Sequence, residues 1–112
     1  MTTSATEVAA QAARGFDRLK CQECVEAVRD ALLAAGYTGQ LIEIRARGKR
    51  DFMICVSFDG GLQSITQNGR HLGVRVGDIV FDNLHPLGLM YEAWLRDFDA
   101  PAGIEVHSTT DF

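Results

Sequence analysis

Apolar residues recur at helical spacing from about Cys21 to Ala35. Cys21, Cys24, Val25, Val28, Leu32 and Ala35 fall on one stripe, and Gly36 supplies a stop just beyond it. Upstream, residues 3 to 14 are alanine-rich with a polar side, which reads as a leader helix or a frayed segment interrupted by Gly15. Downstream the period falls to two. Leu41 to Ala46 and Phe52 to Phe58 read as strands joined by a turn around Gly48, with turn signals at Asp59-Gly60-Gly61 and Gln67-Asn68-Gly69. Leu72 to Val76 and Ile79 to Asn83 form a candidate hairpin about Gly77-Asp78. A last helix is expected over roughly Leu87 to Phe98, carrying Leu89, Tyr91, Trp94, Leu95 and Phe98; residues 101 to 112 read as a tail. The order predicts an α+β fold: a cysteine-bearing helix packed on a small antiparallel sheet, with a C-terminal helix.

At 112 residues the chain is expected to be one domain, 1–112, with its core at about 16–98. A hydrophobic fraction of 46% with two prolines is that of a globular chain. No apolar run approaches the ~20 residues a membrane span requires. The opening stretch lacks the basic start and apolar block of a secretory signal, so a cytoplasmic setting is expected. A net charge of −4 argues against nucleic-acid binding, which relies on a basic surface. Three cysteines, an odd number, favour free thiols over a disulfide framework. With one C-x-x-C pair and scattered His71, His85 and His107, a four-ligand structural zinc site has little support; neither metal nor cofactor is expected.

The segment His71 to Leu84 is the most informative. With Gly77-Asp78 as a two-residue turn, Val76 pairs with Ile79, Val74 with Phe81 and Gly73 with Asp82. Leu72, Val74, Val76, Ile79 and Phe81 then share an apolar face. His71, Gly73, Arg75, Val80 and Asp82 share the other, and His71 and Asp82 become diagonal neighbours across the bare Gly73. A carboxylate so placed orients an imidazole and stabilises its protonated form. The competing reading is a solvent-facing ion pair on a sheet. Asn83 points to the apolar face in this register.

Lys20-Cys21-Gln22-Glu23-Cys24 lies at a helix start, where unpaired N–H groups and the positive end of the dipole lower a thiol's pKa and can hold an oxyanion. Cys21 sits nearest that end. Cys24, one turn deeper on the apolar stripe, can equally be a small core residue, while Cys55 and Trp94 read most simply as core. Arg45, Arg47, Lys49 and Arg50 read as a solvated turn, and Glu92, Asp97 and Asp99 as a solvated face. His85 beside Pro86 shapes a loop, with a second role as a substitute base near Asp82.

A helix-borne cysteine followed by strands bearing a histidine and then an aspartate is the layout of papain-like and transglutaminase-like enzymes. Cys21-Gln22-Glu23 through Ala31-Leu32 to Gly36 is similar to the cysteine helix of the latter. Cys21-x-x-Cys24, Ser64-Ile65-Thr66-x-Asn68-Gly69-x-His71, Val80-Phe81-Asp82-Asn83 and Trp94-Leu95 together resemble the second papain-fold toxin family of bacterial polymorphic toxin systems, over roughly residues 16 to 98. The resemblance implies a papain-like fold used as an effector, held in check by a cognate immunity protein in the cytoplasm of the producing cell and delivered to a target cell. It gives Cys21 as nucleophile with Cys24 as the alternative, His71 as base and Asp82 as orienter. Such domains commonly end long delivery proteins, so this chain is expected to be an excised domain or a free-standing relative.

The implied chemistry is attack of a thiolate on an amide or thioester carbonyl of a protein or peptide-like substrate. Backbone N–H groups at the helix start, with Gln22 and Asn83 as neighbouring candidates, hold the oxyanion or substrate, and His71 protonates the leaving group. Protease, deamidase and acyl transferase share these steps. Two rivals stand beside this reading. One is thiol–disulfide exchange through Cys21 and Cys24, a motif that ordinarily follows a strand, whereas Phe16 to Lys20 is polar. The other is a non-catalytic binding module of the same fold.

Overall fold

The computed structural model describes residues 4–112. Of the expected leader segment, residues 1–3 lie outside the described residues, and the rest is a helix, α1 (Ala5–Ala12). Ser4 caps it: its hydroxyl accepts from the Glu7 backbone N–H at 3.2 Å while its own O–H donates to Glu7 Oε1 at 3.1 Å. Ala9 and Ala13 are fully buried against Cys24, Val25, Val28 and Leu32 of α2 (Cys21–Ala34). The apolar stripe of α2 is thus its packing face. At its end Gly36 takes φ +83°, a conformation glycine adopts without strain, and the Tyr37 N–H reaches back to the Leu32 carbonyl at 2.8 Å.

Five antiparallel strands form the main sheet in the order β5-β4-β3-β1-β7, from β1 (Gln40–Ala46), β3 (Arg70–Val76), β4 (Ile79–Phe81), β5 (Leu89–Met90) and β7 (Ile104–Asp111). The β3–β4 hairpin has the expected register, with Val76 opposite Ile79 and Val74 opposite Phe81. Its ladder ends at Phe81, so Asp82 and Asn83 fall in the loop beyond. Leu72, Val74 and Phe81 pack against α1 and α2.

Three expectations change. Phe52 to Phe58 does not pair with β1. Only Ile54–Cys55 (β2) is a strand, and it pairs with β6 (Phe98–Asp99) in a separate two-stranded sheet. The alternation there is real, since Met53 and Cys55 are buried while Phe52 and Val56 are exposed, but it reflects packing of an irregular segment. The helix expected over 87–98 is shorter: α3 spans Tyr91–Arg96, with strand residues on either side of it. The tail supplies β7, which pairs with β1 across a bulge at Glu43/Ile44 and adds the outermost strand.

The face bearing His71 is not open to solvent. Ile44 lies opposite His71 and Ile42 opposite Gly73, and Ile42, Ile44, Val80 and Met53 join Trp94 and Phe98 in a second core beneath α3 and the small sheet. Gly73 is what lets Trp94 in. A Cβ built there would stand 2.7 Å from Val80 Cγ1 and 2.8 Å from Trp94 Cζ2. Gly73→Ala therefore forces Trp94 off the sheet; overpacking of this kind costs typically about 1–3 kcal/mol. The expected outcome is a lower midpoint in chemical denaturation, and an unchanged midpoint would contradict this packing.

Candidate active site

Cys21 is the first residue of α2. Lys20, the cap position, makes no side-chain hydrogen bond to the helix, so no side chain occupies the first-turn N–H groups from that position. The approach to the helix is pinned from two directions. Asn83 Nδ2 donates to the carbonyls of Asp17 at 2.7 Å and Arg18 at 3.1 Å, and Arg18 Nη1 donates to the Ser64 carbonyl at 2.6 Å. This places the half-buried Cys21 thiol against β3, within the influence of the His71 ring and the Leu72 backbone N–H.

His71 is fully buried on β3, its ring 4.9 Å from that of Phe98 and 6.2 Å from that of Trp94, centre to centre. Its Nε2 is 2.8 Å from Asp82 Oδ2. The opposite nitrogen, Nδ1, is buried and has no hydrogen-bond partner among the described residues, although the Cys21 thiol acts on this ring. Asp82, also at zero exposure, gathers donors from every side. Trp94 Nε1 meets Oδ2 at 2.8 Å. Oδ1 receives the Leu84 N–H at 2.9 Å, the His85 N–H at 2.6 Å and His85 Nδ1 at 2.8 Å.

The charges follow from this geometry. Burial opposes ionisation of Asp82, but the hydrogen bonds and charges of His71 and His85 hold its carboxyl well below the usual range. Burial would push the His71 imidazole down; the hydrogen bond and charge of Asp82, with the nearby Cys21 thiol, outweigh it and raise it to about 9. Desolvation pushes the Cys21 thiol up, but the nearby His71 ring and its charge, with the Leu72 N–H, bring it below its ordinary value. Cys24 is different. It is fully buried, its Sγ lies 3.7 Å from the Ala13 carbonyl, and burial with the Asp82 and Cys21 charges pushes it up to about 12.

The fold therefore brings Cys21, His71 and Asp82 together and directs Cys24 into the helix-facing core. Gln22 is exposed beside Cys21, bonded to Glu26 at 3.3 Å. Both line a cleft of about 180 Å³, with Gln67, Asn68 and Arg70 on its far wall. Arg70 pairs with Glu43 at 2.6 Å and places a positive charge that Cys21 also feels. Asn83 acts elsewhere, since its amide N–H groups hold the loop before α2.

Sequence reasoning missed the layer behind Asp82. Trp94 is core, yet its indole N–H ends on Asp82; a buried indole needs an acceptor, and that requirement was available as a signal. His85 bridges two acids, with Nδ1 on Asp82 and Nε2 on Asp97 Oδ2 at 2.6 Å. Asp97 is not part of a solvated face. It accepts from the Ser57 N–H at 3.1 Å, from the Ser57 hydroxyl and from the Cys55 thiol at 3.3 Å. Cys55, His85 and Asp97 thus form a second compact Cys–His–Asp group. No spacing in the chain announces it.

Among the described residues no helix is long and apolar enough to cross a membrane. Comparison with curated proteins and with solved structures returns no match. The family described as papain fold toxin 2 matches residues 4–99, a span that contains Cys21, His71, Asp82 and the elements that position them. With that match over most of its length, the chain belongs to the papain fold toxin 2 family.

Proposed function

We propose that this toxin domain is a cysteine enzyme acting on an amide or thioester bond, with Cys21 as nucleophile, His71 as acid–base and Asp82 as orienter. The observation that carries the reading is the fully buried His71–Asp82 pair at 2.8 Å, placed so that its imidazolium stabilises the Cys21 thiolate at the start of α2. Cys21 Sγ attacks the carbonyl carbon, forming a C–S bond. The first-turn N–H groups of α2, with Gln22 beside them, receive the oxyanion. His71, anchored at Nε2 by Asp82, has Nδ1 left to pass a proton to the leaving group. Water then releases the acid (hydrolysis or deamidation), or an amine or hydroxyl takes the acyl group. Trp94 donates to the Asp82 oxygen that His71 uses and so fixes the carboxylate's position.

The cleft beside Cys21 combines amide and charged side chains with the apolar Leu19, Ile65 and Leu72, a mixture that suits a protein or peptide-like substrate. An immunity protein that covers this cleft would block the enzyme in the cell that makes it. Thiol–disulfide exchange is the weaker alternative: α2 follows a turn rather than a strand, and Cys24, which would have to resolve the mixed disulfide, is fully buried.

The pH dependence has a definite sign. The Cys21 thiolate forms below the ordinary thiol range, while His71 stays protonated until about pH 9, so there is a pH window below 9 in which both members of the ion pair are charged. Turnover rises as Cys21 ionises and falls as His71 loses its proton near pH 9. Site-resolved alkylation at pH 7 is expected to label Cys21 faster than Cys24, and His71→Ala is expected to move the Cys21 profile to higher pH. A Cys21 profile indifferent to His71 would contradict the pairing.

Expression of the domain in bacteria without a protector is expected to arrest growth. Cys21→Ala should relieve the arrest, whereas Cys24→Ala should leave it in place. Arrest by the Cys21→Ala protein, or relief by Cys24→Ala alone, would overturn the assignment of the nucleophile.

A further inference from the structure

Behind the Cys21 centre, Cys55, His85 and Asp97 meet where β2, the loop after β4 and the end of α3 converge. Cys55 Sγ is 3.8 Å from His85 Nε2 and 3.3 Å from Asp97 Oδ2, and His85 Nε2 is 2.6 Å from Asp97 Oδ2. Tetrahedral zinc, with Zn–S about 2.3 Å and Zn–N or Zn–O about 2.0 Å, sets its donors roughly 3.3–3.6 Å apart. The Cys55–Asp97 distance fits this spacing, and the Cys55–His85 distance lies within roughly 0.2 Å of it. The His85–Asp97 hydrogen bond must open by roughly 0.7 Å, and the short bond from the Ser57 hydroxyl to Asp97 must open with it, as an ion replaces the shared protons.

The surroundings have the form that a zinc site needs. His85 presents Nε2 to the cluster while Nδ1 is 2.8 Å from Asp82 Oδ1, a carboxylate–histidine arrangement that fixes the ring and raises its basicity as a ligand. On Asp97, the Ser57 N–H holds Oδ1 at 3.1 Å, which leaves Oδ2 facing Cys55 and His85. The Ser57 hydroxyl stands 3.4 Å from His85 Nε2 and 3.6 Å from Cys55 Sγ, at the open fourth corner. A shallow depression bordered by Val56, Ser57, Leu89 and Arg96 reaches His85 and Asp97 and offers an entry path. A thiolate and a carboxylate, each singly negative, with a neutral imidazole, offset the charge of a divalent ion.

The geometry points to a zinc site formed by Cys55, His85 and Asp97, with the fourth position at Ser57. A soft thiolate beside a nitrogen and an oxygen in near-tetrahedral spacing favours zinc over magnesium or calcium, which take oxygen sets. The site is distinct from the Cys21 nucleophile, although both histidines end on Asp82. Its existence does not depend on the acyl-transfer reading, because its test reads metal binding.

The test uses the whole chain carrying Cys21→Ala, which removes the competing half-buried thiol beside His71. After equilibrium dialysis against zinc chloride, about one zinc per chain is expected by elemental analysis. Cobalt loading is expected to give a thiolate-to-cobalt charge-transfer band. Cys55→Ala should abolish both. Asp97→Asn, which alters a partly exposed side chain and keeps its shape, should weaken zinc binding at least tenfold while near-ultraviolet dichroism remains unchanged. No retained zinc in the Cys21→Ala protein would overturn the proposal, as would retention at full affinity in the folded Asp97→Asn protein.

Discussion

The Asp82 carboxylate is held at zero solvent exposure, and a buried charge of this kind is costly unless its oxygens are fully engaged. Its donors come from three separate parts of the fold: His71 on β3, Trp94 on α3, and the backbone and ring of the loop just after β4. The loop groups are local to Asp82, but His71 and Trp94 cannot reach it until the sheet has formed and α3 has closed over it. Folding of the second core and assembly of the His71–Asp82 pair are therefore one event. Loss of a single donor leaves an under-satisfied buried charge, a defect costing about 1–3 kcal/mol or more.

The main sheet works as a partition. Its helix-facing side is an ordinary apolar core in which Cys24 is one more small residue. Its other side carries the polar chemistry beneath Trp94 and Phe98, and the start of α2 delivers Cys21 to the end of β3 where the two environments meet. The glycine at position 73 is the local device that lets the Trp94 indole pack closely against β3 and touch Asp82. Asn83, next in the chain after Asp82, ties the same loop to the approach of α2. One short segment thus sets the orientation of the acid and the position of the helix that bears the thiol.

Much of this was legible in residue patterns because it rests on local periodicity. The stripe through Cys24, Val28 and Leu32 gave α2, and the Gly77-Asp78 turn gave the β3–β4 register that makes His71 and Asp82 neighbours. What could not be read was long-range. The apolar side of β1 is visible as Ile42, Ile44 and Ala46, but nothing local says that it covers the His71 face rather than the helices. For the same reason the tail's place beside β1, and the pairing of Ile54–Cys55 with Phe98–Asp99, escaped the hydrophobic pattern. The contact of His85 with Asp97 spans twelve positions through a loop and a helix of irregular ends, where no periodicity operates.

The central claim is that Asp82 holds His71 as a buried imidazolium facing a thiolate at Cys21. Nitrogen-15 NMR of the His71 ring at pH 8, in the wild-type protein and in Cys21→Ala, tests it most directly. The account predicts both ring nitrogens protonated at pH 8 in the wild type, well above the ordinary histidine range, with a lower titration midpoint once the thiolate is removed. A His71 ring that is neutral at pH 8, or one whose titration ignores the loss of Cys21, would contradict it.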